Sequence, residues 1–306
     1  MPEAAGAPPL VVAAASDPGQ KRERNEDAYG YQLTPFGGVF VVADGMGGHA
    51  RGDLAAKIAV DTVLERLTQE APSPALVADA LEEANRTIFA VAKEGRHEGM
   101  GTTATALVID FPFALVGHVG DSRAYLYRGG LLVQLTQDHS WVAERVRQGL
   151  LRPEEARDHR FKNVITNALG TFPQVEVDLL GLRLRPGDVL LLSTDGLHGV
   201  IGEEAIARIL SEGPLEEAPQ RLIELANAWG GPDNITAMLV RAERVEGDEK
   251  KPYALLLSGE QPVYIRARSG DTAVALPQRP PRYRASEIVL LVLWILLLAY
   301  VLLHQR

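Results

Sequence analysis

Residues 39–50, "VFVVADGMGGHA", constrain this chain more than any other stretch. The run of β-branched and aromatic residues reads as a buried core strand. It ends in an acid, Asp44, and passes at once into Gly45, Met46, Gly47 and Gly48. Aspartate and glycine each favour surface turns, so one such ending is ordinary. Here the ending repeats. Asp121 closes "ALVGHVGD", Asp195 closes "VLLLSTDG", and Asp233 stands in "GGPDNITAMLV" just ahead of another strand.

If these four acids converge, their repulsion must be offset by cations or by protonation. The chain has no cysteine. That excludes disulfides, zinc–thiolate sites, iron–sulfur clusters and a cysteine nucleophile. Its histidines are not spaced as a ligand pair, so oxygen ligands remain, and these select hard divalent ions such as Mg²⁺ or Mn²⁺. Gly45 has a use in such a site, because a bare backbone lets its carbonyl approach an ion closely. The net charge of −9 argues against nucleic acid as a partner.

A further charged cluster, "KRERNEDAYG", covers residues 21–30. Charge runs are commonly solvated faces. Here, however, Arg22 precedes two adjacent acids, Glu26 and Asp27, and arginine suits bidentate capture of phosphate. Acids, divalent ions and a phosphate-reading arginine make a metal-assisted phosphoester hydrolase. In such sites two ions about 3.5–4 Å apart lower the pKa of a shared water and aim it at phosphorus.

Strands are expected at 28–33, 38–43, 102–109, 114–119, 123–128, 175–180, 188–193 and 234–240, with Gly129–Gly130 turning a hairpin. Helices are expected at 52–68, from Pro74 through the amphipathic stretch 76–95, and at 215–228. Hairpins and adjacent strands predict antiparallel sheets, with the grouped helices on their outer faces.

Composition shifts after Arg244. "VEGDEKKP" is a charged break, residues 253–276 read as a small meander or an extended segment, and "PQRPPRYR" is a stiff basic linker. The final segment is apolar on every face from Ile288 to Leu303, as expected of a membrane anchor rather than a surface helix. Arg279, Arg282 and Arg284 precede it and only Arg306 follows, which predicts a cytoplasmic main domain in a membrane-anchored protein. The N-terminus lacks a basic region ahead of its apolar patch, so no signal peptide is expected. The predicted division is 1–244 as the catalytic domain, 245–285 as a juxtamembrane segment and linker, and 286–304 as the transmembrane anchor.

With these motifs in order, the chain resembles the metal-dependent protein phosphatases, the type 2C serine/threonine family, in its bacterial form. "RERNEDAY", "VVADGMGGHA", "MGTTATAL", "VGDSRAYLYRGGLLVQLTQDHS", "LLLSTDGL" and "GGPDNITAMLV" resemble the family's successive signatures over about residues 10–242. The resemblance implies an α+β fold, a β-sandwich of two antiparallel sheets flanked by helices on both sides in four αββα layers. Asp44, Asp195 and Asp233 would be metal ligands and Gly45 would contribute its carbonyl. Asp44 would bridge two Mn²⁺ or Mg²⁺ ions. Glu26 and Asp27 would act mainly through metal-bound waters, and Arg22 would hold the substrate phosphate. Asp121 would belong to a third, weaker metal site, with Asp195. Residues 139–169 would form a flap beside the active site. The implied substrates are phosphoproteins, and a membrane serine/threonine kinase is a partner suggested by analogy.

Two features depart from the family. Met46 stands where some members carry a histidine proposed as general acid. His49 is not at that position and is expected to be structural. The tail beyond residue 245 lies outside the family core. A catalytically silent sensing or adaptor module on the same fold is the alternative, but no core ligand is missing. A small-molecule phosphohydrolase is a further rival, but no nucleotide loop is present.

Overall fold

The computed structural model describes residues 9–47, 51–94, 97, 99–257 and 261–266. His49, the linker from residue 267 and the apolar run to Leu303 lie outside them.

The layout follows from strand β3 (Gly37–Met46). Val39, Val41 and Ala43 enter one apolar cluster, while Phe40 and Val42 enter another. A strand buried on both faces needs no polar alternation, and this one has none until Asp44. On one side of it runs β2 (Asp27–Thr34). On the other run β5 (Ala104–Asp110), β6 (Phe113–Val119), β9 (Asp178–Arg183) and β12 (Val263–Arg266). The sheet order is β12-β9-β6-β5-β3-β2, with the two-residue β4 (Gly101–Thr102) paired to the end of β3. The second sheet contains β1 (Leu10–Asp17), β7 (Arg123–Arg128), β8 (Leu131–Gln134), β10 (Val189–Ser193) and β11 (Ile235–Ala242), in the order β1-β11-β10-β7-β8. Neighbouring strands in both sheets are antiparallel.

Helices α1 (Gly52–Gln69) and α2 (Pro74–Glu94) cover the outer face of the first sheet, α1 packing mainly on β3 and α2 on β6 and β9. The short α3 (Trp141–Arg147) and α4 (Pro153–Arg157) lie in the segment between β8 and β9, and α5 (Asp195–His198) follows β10. Helices α6 (Glu203–Ser211) and α7 (Ala218–Ala228) cover the second sheet. The four αββα layers expected from the resemblance are therefore present.

The Gly129–Gly130 hairpin forms as read, with both glycines at positive φ (59° and 83°), the geometry a two-residue turn requires. Strand β1 had no sequence signal because "LVVAAASD" is rich in alanine, which has weak strand preference. Strand β9 lies three residues later than expected, where Leu179, Leu180 and Leu182 are buried.

The tail turns back on the first sheet after Arg244. Lys251 and Tyr253 both reach the Asp110 carboxylate, and the Tyr253 ring meets Phe113 edge-on at 5.9 Å. Leu257, at the end of a 3-10 turn (Ala254–Leu257), is buried over Gly181, where a Cβ would lie 2.5 Å from a leucine methyl. Strand β12 then pairs with β9 and caps that edge. Among the described residues, no helix is long and apolar enough to cross a membrane.

Candidate metal centre and active site

The sandwich brings the predicted acids to one end because antiparallel pairing puts the start of β2 beside the end of β3, and the start of β11 beside the end of β10. Asp27 begins β2 and stands directly opposite Asp44 near the end of β3. Asp195 opens α5 two residues after the end of β10, Asp233 stands two residues before the start of β11, and Asp121 lies in the turn from β6 to β7.

Burial, followed by repulsion from Asp27, Asp195, Asp121 and Asp233, raises Asp44 well above the ordinary carboxylate range. Burial and then Asp195 do the same to Asp121. Asp195 is pushed up to about 6 by burial and then by Asp233. Asp27 is pushed up to about 7 by burial, although Thr194 and Thr236 hydroxyls donate to its Oδ2 at 2.9 and 2.6 Å. Four desolvated acids therefore share one end of the sandwich with the more exposed Asp233.

The residues fit a hard divalent cation. Oδ1 of Asp27 and Oδ1 of Asp195 are buried with no hydrogen-bond partner, and a buried unsatisfied acceptor is costly unless something positive meets it. The donor set is all oxygen, as Mg²⁺ and Mn²⁺ prefer. Among the described residues no three acidic or imidazole side chains form a ready-made cage for one ion. Backbone carbonyls and water would have to complete its shell. Gly45 answers to this: a Cβ there would lie 2.3 Å from the Gly52 carbonyl oxygen and 2.5 Å from that of Glu26.

The flanking residues brace these acids. The Thr103 N–H donates to the Asp44 carbonyl at 2.9 Å, and the Asp44 N–H donates to Thr103 Oγ1 at 2.9 Å. Glu26 is held by its N–H, which donates to Asn234 Oδ1 at 2.8 Å, while Asn234 Nδ2 donates to the Pro18 and Arg24 carbonyls. Arg22 donates to Asp233 at 2.8 Å with 54% of its side chain exposed, so the guanidinium is at the cluster yet reachable from solvent. Met46 lies at the end of β3, opposite Gly101. The arginine of "GDSR", Arg123, lies beside the cluster, where its charge partly offsets the burial of Asp121 and Asp195. It forms a two-point ion pair with Asp138, at 2.8 and 2.7 Å.

Sequence reasoning assigned no role to Thr103, Thr194, Thr236 or Asn234. Each stood inside a quoted motif, but threonine and asparagine at strand ends carry no charge pattern to single them out. Residues 139–169 do form a separate segment beside the sheet, with Trp141 stacked on His159 at 5.0 Å and Phe161 against both.

Comparison with known proteins agrees with this geometry. Residues 19–228 match the family described as protein phosphatase 2C. Protein phosphatase PhpP of Streptococcus pneumoniae is 37% identical over 241 residues, 76% of this chain and 97% of the relative. Serine/threonine protein phosphatase PstP of Mycobacterium tuberculosis is 38% identical over 266 residues, 86% of this chain and 49% of that protein. Its crystal structure superposes with a TM-score of 0.71 at 38% identity, covering 77% of this chain and 99% of that one. The catalytic domain of PstP in complex with two manganese ions gives a TM-score of 0.68 at 37% identity, covering 76% of this chain and 97% of that one. The chain belongs to the protein phosphatase 2C family, whose bacterial members named here are serine/threonine phosphatases.

Proposed function

We propose that this chain hydrolyses phosphoserine and phosphothreonine in proteins with the help of Mn²⁺ or Mg²⁺, two or three ions in all. The observation that carries the reading is the desolvated cluster of Asp27, Asp44, Asp121 and Asp195 beside Asp233, with two buried carboxylate oxygens left without partners. When bound, such an ion acts as a Lewis acid and lowers the pKa of water to near neutrality.

Asp44, Asp195 and Asp233 would hold the ions with the Gly45 carbonyl, and Asp121 would join Asp195 at a third position. Glu26 and Asp27 would act one shell out, through water. Arg22 exchanges its contact with Asp233 for the substrate phosphate, where its planar donors match two phosphoryl oxygens. Water adds to phosphorus, the bond to the serine or threonine oxygen breaks, and inorganic phosphate and a free hydroxyl result. Met46 has no proton to give the leaving oxygen, so that proton comes from solvent or from a neighbouring acid.

The apolar run 288–303 anchors the protein in the membrane with the catalytic domain in the cytoplasm, where effective concentration favours membrane-bound phosphoproteins such as a transmembrane kinase. Phosphate release from a phosphothreonine peptide, with and without Mn²⁺, tests the activity. A folded protein that binds Mn²⁺ but releases no phosphate would leave only a silent sensing module. Alkali-resistant sedimentation with membranes tests the anchor, and extraction by carbonate would overturn it.

A further inference from the structure

The residue after Asp138 is the least explained part of "TQDHS". Its side chain joins three parts of the molecule. The Gly120 N–H donates to His139 Nδ1 at 3.1 Å, and the His139 N–H donates back to the Gly120 carbonyl at 2.7 Å. Asn167, from the flap segment, brings its Nδ2 within 3.0 Å of the same Nδ1. On the far side of the ring, His139 Nε2 faces Asp178 Oδ2 of β9 at 3.2 Å. An Nδ1 that accepts from a backbone N–H carries no hydrogen, so the ring hydrogen sits on Nε2 and points at Asp178. The partners thus set the tautomer.

We infer that His139 is a positioning residue for the Asp121 corner of the acidic cluster, locking the Gly120–Asp121 turn to the flap and to β9. The turn has little slack. Gly120 takes φ +107°, and a Cβ there would lie 2.5 Å from Thr103 Cγ2. Thr103 in turn holds both the Asp44 backbone and, at 2.7 Å, the Ser122 hydroxyl. His139 therefore closes a frame that runs from Asp44 to the flap. Carboxylates that orient imidazoles around metal sites act in a similar way; here the imidazole grips the backbone beside a ligand rather than the ion itself. Asp178 also pairs in register with Arg266 of β12, so the frame reaches the tail.

This inference rests on reading Asp121 as a metal ligand, and the experiment separates the two. Mn²⁺ binding isotherms would be measured on the full chain in mild detergent for wild type, Asp121→Asn, His139→Asn and His139→Gln. Asparagine keeps an acceptor near the Nδ1 position, whereas glutamine places its amide nearer Nε2. Asp121→Asn should lose the weakest Mn²⁺ site. His139→Gln should weaken that site about 10–100-fold, and His139→Asn should stay close to wild type. An unchanged isotherm in Asp121→Asn overturns the ligand reading. Loss of the site in Asp121→Asn with none in His139→Gln, or asparagine proving worse than glutamine, overturns the role of His139. Hydrogen exchange at the Gly120 amide of the metal-free wild type requires no variant: slow exchange is expected, and fast exchange overturns the grip.

Discussion

Asp27 and Asp44 face each other directly across the β2–β3 pair, two acids where opposite charges would be the stabilising choice. Asp27 is tied by two threonine hydroxyls through one oxygen, and its other oxygen has no partner. The fold thus holds like charges together at the mouth of the sandwich, an arrangement that a bound cation or protonation relieves.

Replacing Asp195 by asparagine removes a charge that repels Asp44. Phosphate release is expected to fall at least about 100-fold, while the metal-free protein keeps or slightly raises its melting temperature, since a desolvated repulsion disappears. Parallel assays and thermal melts check this. A large loss of stability in the metal-free variant would make Asp195 a structural acid instead.

On the proposed function, Mn²⁺ binds the folded cluster and has no comparable site in the unfolded chain. At about 100 times its dissociation constant it should stabilise by about 2.7 kcal/mol, roughly 5–10 °C in melting temperature for a domain of this size. Scanning calorimetry across a Mn²⁺ titration reads the shift, and EDTA should reverse it. A melting temperature indifferent to both reagents argues against a built site.

The metal-free protein should lose stability from pH 5 to pH 8. Burial raises Asp27 to about 7 and Asp195 to about 6, above the unfolded value of about 3.9. Between those limits the folded state binds more protons than the unfolded state, so this stability is full below the unfolded value and is lost as pH rises through 6 to 7. His118 runs the other way: burial lowers it to about 3, so its share is lost as pH falls below its ordinary range. Melts of metal-free wild type and Asp27→Asn across this range test the sign, the variant giving the flatter curve. A metal-free wild type that grows steadily more stable up to pH 8 contradicts a desolvated acid cluster.

Gly45→Ala places a methyl carbon against two backbone carbonyls that no rotamer change can move. Activity is expected to drop at least about tenfold, with stability lower by about 1–3 kcal/mol. Activity assays and urea melts decide it, and wild-type behaviour in both would show that the start of α1 at Gly52 gives way freely.

Leu257→Ala should cost about 2–4 kcal/mol, because the side chain is buried over Gly181. Urea unfolding of the full chain measures this. A loss below about 0.5 kcal/mol, as for a surface site, would mean that the tail contributes nothing to the domain.

Much of this was legible in the chain itself. The apolar runs named most strands, and the acids at their ends named the site, because burial and charge are local properties of a sequence. The mutual repulsion of Asp44 and Asp195, the threonines on Asp27 and the asparagine that holds Glu26 were not legible. They depend on which strand ends meet across two sheets, a contact between residues about 150 or more positions apart such as Asp44 and Asp195 or Glu26 and Asn234. The return of the tail was equally hidden. "YALLLSGEQPVYIR" carries no marked period, and it takes its 3-10 turn and strand only because Asp110, Gly181 and the open edge of β9 are there to receive it.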